Sequence, residues 1–287
     1  MRVLHLSRFK VKSLARVQAG HGINPSSSDV PEPKPAFIGK YHVDRARVKG
    51  RYVFTMRPRE KVGTAHILYL HGGAYSANFM AGHWEFMAYL LDHARCTITA
   101  PDYPLLPQAT YRDGFAMIEQ VYSDLLADIP ANTITLMGDS AGGGLALALA
   151  QKLALDHAAQ PHQIILLSPW LDVALTNPDI AKVADRDPLL SVEALQILGR
   201  QWAGSADLSH YQVSPLHGNP AGLGKVSLFT GAADVLNPDA RKLKALFDAQ
   251  NIPLDYFEYA GMMHCWVLFP MPEAMHARRQ ILSLLRN

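Results

Sequence analysis

Six short apolar runs separated by helical patterns leave this chain few folds to adopt. They are AHILYL (65–70), CTITAPDY (96–103), TITLMGD (133–139), QIILLSP (163–169), VSLFTGAAD (226–234) and PLDYFEYAG (253–261). Most lack a polar–apolar alternation, as strands buried on both faces do. Helix-period patterns fall at 83–92, 110–127, 141–157, 238–250 and 273–285. Strand and helix in repetition build an α/β fold, a mostly parallel central sheet with helices on both faces. Ahead of the series, RARVKGRYVFTM (45–56) reads as two short strands turning at Lys49-Gly50. PSSSDVPEPKP (25–35), with four prolines and three serines, reads as an extended connection. One interval breaks the rhythm. Nearly sixty residues separate the strand ending near Ser168 from the one starting at Val226, and they hold a helical stretch at 191–202. An insertion at the carboxyl ends of the strands is placed to roof a site, making a small cap with the N-terminal segment. The expected organisation is a single domain over 1–287, with cap elements from about 1–40 and 172–224.

Composition narrows the partners. Hydrophobic residues make up 49% of the 287 and charged residues 18%, the balance of a soluble globular chain. With 27 basic and 25 acidic residues the net charge is +2, so no global field draws nucleic acid or an anionic membrane. No uncharged apolar run approaches the roughly 18 residues of a membrane span, and no stable membrane insertion is expected. The N-terminus, MRVLHLSRFKVKSLARVQ, is basic, with no acid before Asp29, but its interspersed Arg and Lys leave no apolar stretch for a secretory signal. It is expected to pack over a cytoplasmic domain, with a transit peptide, whose composition it shares, as the alternative. Cys96 and Cys265 lie in apolar contexts and read as reduced, buried thiols rather than a disulfide or metal pair. Monomer and homodimer both stay open.

Chemistry concentrates where strand 133–139 meets the next helix, in Gly138-Asp139-Ser140-Ala141-Gly142. This G-x-S-x-G pattern between strand and helix is a nucleophile elbow. The serine sits on a strained turn, the glycines let strand and helix approach, and Oγ is exposed at the top of the sheet. The plain alternative is that Ser140 only caps the helix. Strand 65–70 runs into His71-Gly72-Gly73-Ala74-Tyr75, whose backbone N–H groups are free to meet an oxyanion. Gly72 and Gly73, with the Ala141 amide, are the candidate donors. A serine nucleophile needs a base and an orienting acid, in the chain order Ser, Asp or Glu, His. Of the histidines at 157, 162, 210, 217, 264 and 276, His264 alone directly follows a late strand. Asp234 closes strand 226–234 and is the preferred acid. Asp239 is the alternative, though its place after Pro238 suits the first turn of a helix.

As a set, HGGAY (71–75), GDSAGG (138–143), the D-x-L of ADVL (233–236) and GMMHCW (261–266) resemble the hormone-sensitive-lipase-like branch of the α/β-hydrolase fold, the bacterial carboxylesterases grouped as α/β hydrolase fold-3. SPWLD (168–172) and VSPLHG (213–218) are similar to segments of the same branch. The resemblance extends from about residue 60 to the C-terminus. It implies hydrolysis of small-molecule carboxylic esters with small or medium acyl groups, a cap built partly from the N-terminus, and no metal or organic cofactor. The chain departs from the branch at Tyr103-Pro104-Leu105-Leu106-Pro107-Gln108, where Tyr-Arg-Leu-Ala-Pro-Glu is usual, which leaves open how that loop braces the site. The expected activity is that of a serine esterase acting through an acyl-enzyme. An amidase or aryl-formamidase on the same fold, and a hydrolase-like ligand receptor, are the alternatives. Tyr75, Trp202 and Trp266 are bulky groups near the expected site and suggest a compact acyl pocket, although Trp266 fits a core position equally well.

Overall fold

In the computed structural model, which describes residues 14–22, 29–60 and 62–286, eight strands form one sheet in the order β1-β2-β4-β3-β5-β6-β7-β8. They are β1 (Tyr41–Val48), β2 (Arg51–Pro58), β3 (His66–Leu70), β4 (Thr97–Pro101), β5 (Ile134–Asp139), β6 (Gln163–Leu167), β7 (Lys225–Gly231) and β8 (Leu254–Tyr259). β1 and β2 form a hairpin through Lys49-Gly50, both at positive φ, as the twist-matched two-residue turn requires. β2 joins β4 antiparallel, and every pairing from β4 to β8 is parallel.

Period-2 alternation divides each central strand between two cores. Ile67, Tyr69, Ile165 and Leu167 face one side, where α2 (Ala81–Ala94) and α7 (Pro272–Leu284) pack. Leu68, Leu70, Ile164 and Leu166 face the other, covered by α3 (Tyr111–Asp128), α4 (Ala141–Leu155) and α6 (Asn237–Ala249). α5 (Val192–Ala203), in the long insertion, adds Leu195, Leu198 and Trp202 to that second core. α1 (Pro35–Lys40) begins within the extended connection, with proline in its first turn. Among the described residues no helix is long and apolar enough to cross a membrane.

The topology fixes where a ligand can go. After β3 the chain crosses to β4 on one side, and later enters β5 on the other side of β3. This reversal opens a crevice at the carboxyl ends of the strands. The strands are shorter there than the apolar runs suggest: 102–103, 168–169, 232–234 and 260–261 have left the ladder. These residues form the turns that carry the site. Of the N-terminal segment 1–40 expected to join a cap, 1–13 and 23–28 lie outside the described residues. Val17 is buried in the second core, and Gln18 Nε2 donates to Glu193 Oε1 on α5 at 2.8 Å.

Candidate active site

Ser140 occupies the single residue between β5 and α4 with φ 52° and ψ −121°, a strained conformation for a non-glycine residue. Its hydroxyl makes no capping bond; Oγ lies 2.9 Å from His264 Nε2. The flanking glycines permit the turn. A Cβ on Gly138 would stand 2.3 Å from the Gly142 carbonyl, and one on Gly142 2.0 Å from that of Leu70. The backbone is tied on both sides: the Ser140 amide donates to Leu167 at 2.9 Å and its carbonyl accepts from Trp170 at 2.8 Å.

His264 sits five residues past β8, and its Nδ1 lies 2.9 Å from Asp234 Oδ2. With Nδ1–H donated to that carboxylate, Nε2 of the neutral ring is left to accept the Ser140 hydroxyl proton. Asp234 is fully buried and spends Oδ1 on the Leu236 amide at 2.8 Å. Burial alone would lower the His264 pKa, but the Asp234 charge and hydrogen bond, with help from Cys265, raise it well above the ordinary imidazole value. Cys265 Sγ is 3.3 Å from Nε2, and burial pushes its thiol up to about 12. Both cysteines are free and buried. The histidines at 157, 162, 217 and 276 are exposed and His210 half-buried.

Asp239 stands apart from the imidazole. Fully buried in the first turn of α6, it accepts from Asn177 Nδ2 at 3.0 Å. Burial raises its carboxyl to about 6, partly offset by Asn177. The folded protein therefore holds this proton at pH values where the unfolded chain has lost it, and stability declines as pH rises from about 4 to about 6. Asp239→Asn is expected to raise stability at pH 7 by on the order of 1–3 kcal/mol, with no gain near pH 4 and turnover within about threefold of the parent. Melting curves at the two pH values check this; equal effects at both would show that the carboxyl does not titrate as argued.

The turn after β3 requires one correction. The Gly72 amide donates to Asp139 Oδ1 at 3.0 Å, so it is occupied and does not serve as an oxyanion donor in this geometry. Among the described residues, the amides of Gly73, Ala74 and Ala141 have no protein acceptor. The neutral ring of His71, its pKa pushed down to about 3 chiefly by burial, donates Nδ1–H to the Gly72 carbonyl at 2.7 Å. A trans peptide holds C=O and N–H on opposite sides, so the Gly73 N–H points away from His71. Gly73 has φ 122°, and a Cβ there would stand 2.6 Å from the Ala77 carbonyl. Ala74 and Tyr75 follow at φ 51° and 59°, a run of strained residues of the kind found at ligand-contacting turns.

Asp139 joins the two halves of the site. It also accepts from Tyr69 Oη at 2.6 Å and pairs with His83 Nε2 at 3.3 Å. His83 Nδ1 accepts the Met80 amide, which leaves Nε2–H to face the carboxylate. Although burial opposes it, the His83 contact and the Tyr69 bond hold the Asp139 carboxyl below the usual range.

Bracing comes from Tyr103, whose ring stacks on His71 at 4.4 Å and whose hydroxyl donates to the His71 carbonyl at 2.7 Å. The Leu106 amide donates a further hydrogen bond to the Tyr75 carbonyl at 2.8 Å. Gln108 is exposed, so its difference from glutamate falls outside these contacts. Tyr75 lies between Trp170 and Trp202, 4.2 Å from Trp202 with 4° between the planes. Trp266 belongs to the opposite core, against Tyr259, and is not part of this wall.

Sheet, elbow and His–carboxylate pair together define an α/β hydrolase. The sequence profile of the α/β-hydrolase fold family matches residues 67–268. LipR of Mycobacterium tuberculosis is 31% identical over 246 residues, covering 85% of this chain and 80% of that protein. An acetyl-hydrolase of Streptomyces hygroscopicus is 30% identical over 235 residues, covering 81% of this chain and 78% of its own. A crystal structure of an esterase from the bacterial hormone-sensitive lipase family superposes with a TM-score of 0.81 at 28% identity, covering 86% and 84% of the two chains. This chain belongs to the α/β-hydrolase family, within its hormone-sensitive-lipase-like, esterase and lipase branch, and is a carboxylic ester hydrolase.

Proposed function

We propose that the protein hydrolyses carboxylic esters of short acyl groups through Ser140, His264 and Asp234. The observation that carries the reading is the continuous relay of 2.9 Å contacts from Ser140 Oγ through the imidazole to Asp234. His264 Nε2 takes the hydroxyl proton as Oγ attacks the ester carbonyl. Asp234 stabilises the imidazolium, and the Gly73, Ala74 and Ala141 amides receive the oxyanion. The protonated imidazole passes its proton to the departing alkoxide. Water, deprotonated by the same Nε2, then attacks the acyl-enzyme and releases the acid, restoring Ser140.

Support for a short acyl group comes from the Tyr75, Trp170 and Trp202 wall, filled by three stacked rings each at most 1% exposed. Tyr75 follows the oxyanion turn directly, and the Trp170 amide bonds the Ser140 carbonyl, so the wall stands beside the nucleophile. Each methylene that finds a groove gains about 0.8 kcal/mol, and a wall this dense offers none. Acetyl to butyryl p-nitrophenyl esters are expected to be the best substrates, with kcat/KM falling sharply by decanoyl. The test is a series from acetate to palmitate below the micelle concentration, run beside a formamide analogue. An optimum at eight carbons or beyond overturns the short-acyl reading, and faster cleavage of the formamide overturns the choice of ester.

A further inference from the structure

The long insertion does more than cover the site, because it sends one buried carboxylate into the turn that carries the proposed acid. Asp187 is 2% exposed. Its Oδ1 accepts the Leu189 and Leu190 amides at 2.8 and 3.0 Å, and its Oδ2 accepts the Val235 amide at 2.9 Å. Val235 directly follows Asp234. Residues 234–237 form a turn closed by the Asn237 amide on the Asp234 carbonyl at 3.0 Å. Asp187 therefore ties the loop leading into α5 to the backbone that orients the Asp234 side chain.

From this arrangement we propose that Asp187 is a positioning residue for the hydrolytic site: it clamps the Asp234 turn through Val235 and adds a second negative charge beside the Asp234–His264 pair. The inference rests on the Ser140–His264–Asp234 reading. Amide N–H groups donated to both oxygens favour the ionised carboxylate. Burial and the Asp234 charge push the Asp187 carboxyl up, while the His264 imidazole pulls it back, so the three groups share one field. Around the imidazole, Cys265 lies against Nε2 and Asp139 beyond that thiol. On its own segment, Asp185 and Arg186 are exposed. A purely structural clamp would affect stability and leave the imidazole unmoved. A clamp that also carries charge stabilises the imidazolium and aligns the acid.

Two variants separate these effects. Asp187→Asn keeps an oxygen acceptor and removes the charge. It is expected to lower kcat about tenfold with KM within about twofold, and to move the acid limb of kcat/KM down by about half a pH unit or more. Val235→Pro keeps the charge and removes the donor. Position 235 is the second residue of the turn, and Leu236 follows at φ −86° and ψ −6°, the geometry in which that position suits proline. This variant is expected to lower kcat severalfold with the acid limb in place. Ser140→Ala in the same assay tests the site itself: full activity there removes the basis of both readings. With Ser140→Ala inactive, an Asp187→Asn enzyme with the parent acid limb overturns this inference alone. Should Asp187→Asn not fold, Val235→Pro decides, and a parent-like kcat overturns the clamp.

Discussion

Replacing Ser140 by alanine is expected to remove ester turnover by at least about a thousandfold while leaving the protein folded. Alanine keeps the Cβ and inherits the same positive φ, so the turn's strain does not change. The lost contact is the hydroxyl's bond to His264 Nε2, worth about 1 kcal/mol of stability. What disappears is the atom that attacks the ester. The relay from imidazole to Asp234 survives, but it has no proton to take. Steady-state assays on p-nitrophenyl acetate, with melting curves as the control for folding, measure this. Residual activity within tenfold of the parent would sink the assignment. An organophosphate should add one phosphoryl group at Ser140 in the parent and none in the variant.

The second large effect is expected from Asp234→Asn, at about four orders of magnitude in kcat by comparison with other serine triads. An amide at this position can present its NH2 to the ring, which then carries its proton on Nε2 and cannot receive one from Ser140. Asparagine also supports the imidazolium poorly. Because Asp234 is fully buried and bonded to the Leu236 amide, the substitution keeps the shape and changes the charge. Asp239→Asn is the paired control, since Asp239 faces Asn177 instead of the ring. Loss of activity in Asp239→Asn with retention in Asp234→Asn would reverse the roles.

What could be read from the chain alone was whatever depends on neighbours in sequence. The Lys49-Gly50 hairpin, the buried parallel strands and the elbow around Ser140 each follow from a few consecutive residues and recur in the structure, with element ends displaced by up to four residues. The Ser140, Asp234 and His264 side chains, which come from three strand ends, meet as the order of those strands implies. Features that depend on which side chain reaches which backbone could not be read. Gly72 shows this: nothing in HGGAY reveals that its amide is taken by Asp139, 67 residues away. Asp139 was in view inside the elbow motif, yet its partners Tyr69 and His83 are supplied by tertiary packing. Ala74 gives no sign of its positive φ, a conformation more often marked by glycine. Trp266 lies on the far core face because its turn leaves β8 there. Asp187 sits in the insertion, where no periodicity marks a buried carboxylate that meets a distant amide.

The Asp139 junction also determines which parts of this enzyme can be altered separately. One carboxylate holds the Gly72 amide of the oxyanion turn and belongs to the residue that precedes Ser140. Nucleophile and turn are therefore coupled, and a substitution that displaces the 71–75 segment carries the serine with it. Trp202 is tied differently: it arrives from α5 in the insertion and meets the turn by stacking on Tyr75. Pocket size can thus drift through changes at Trp202 while reaction geometry stays put, whereas a change at Asp187 in the same insertion reaches the Asp234 turn. Laboratory evolution for longer acyl groups should gather its first gains at Trp202 and along α5, sparing the turn beneath.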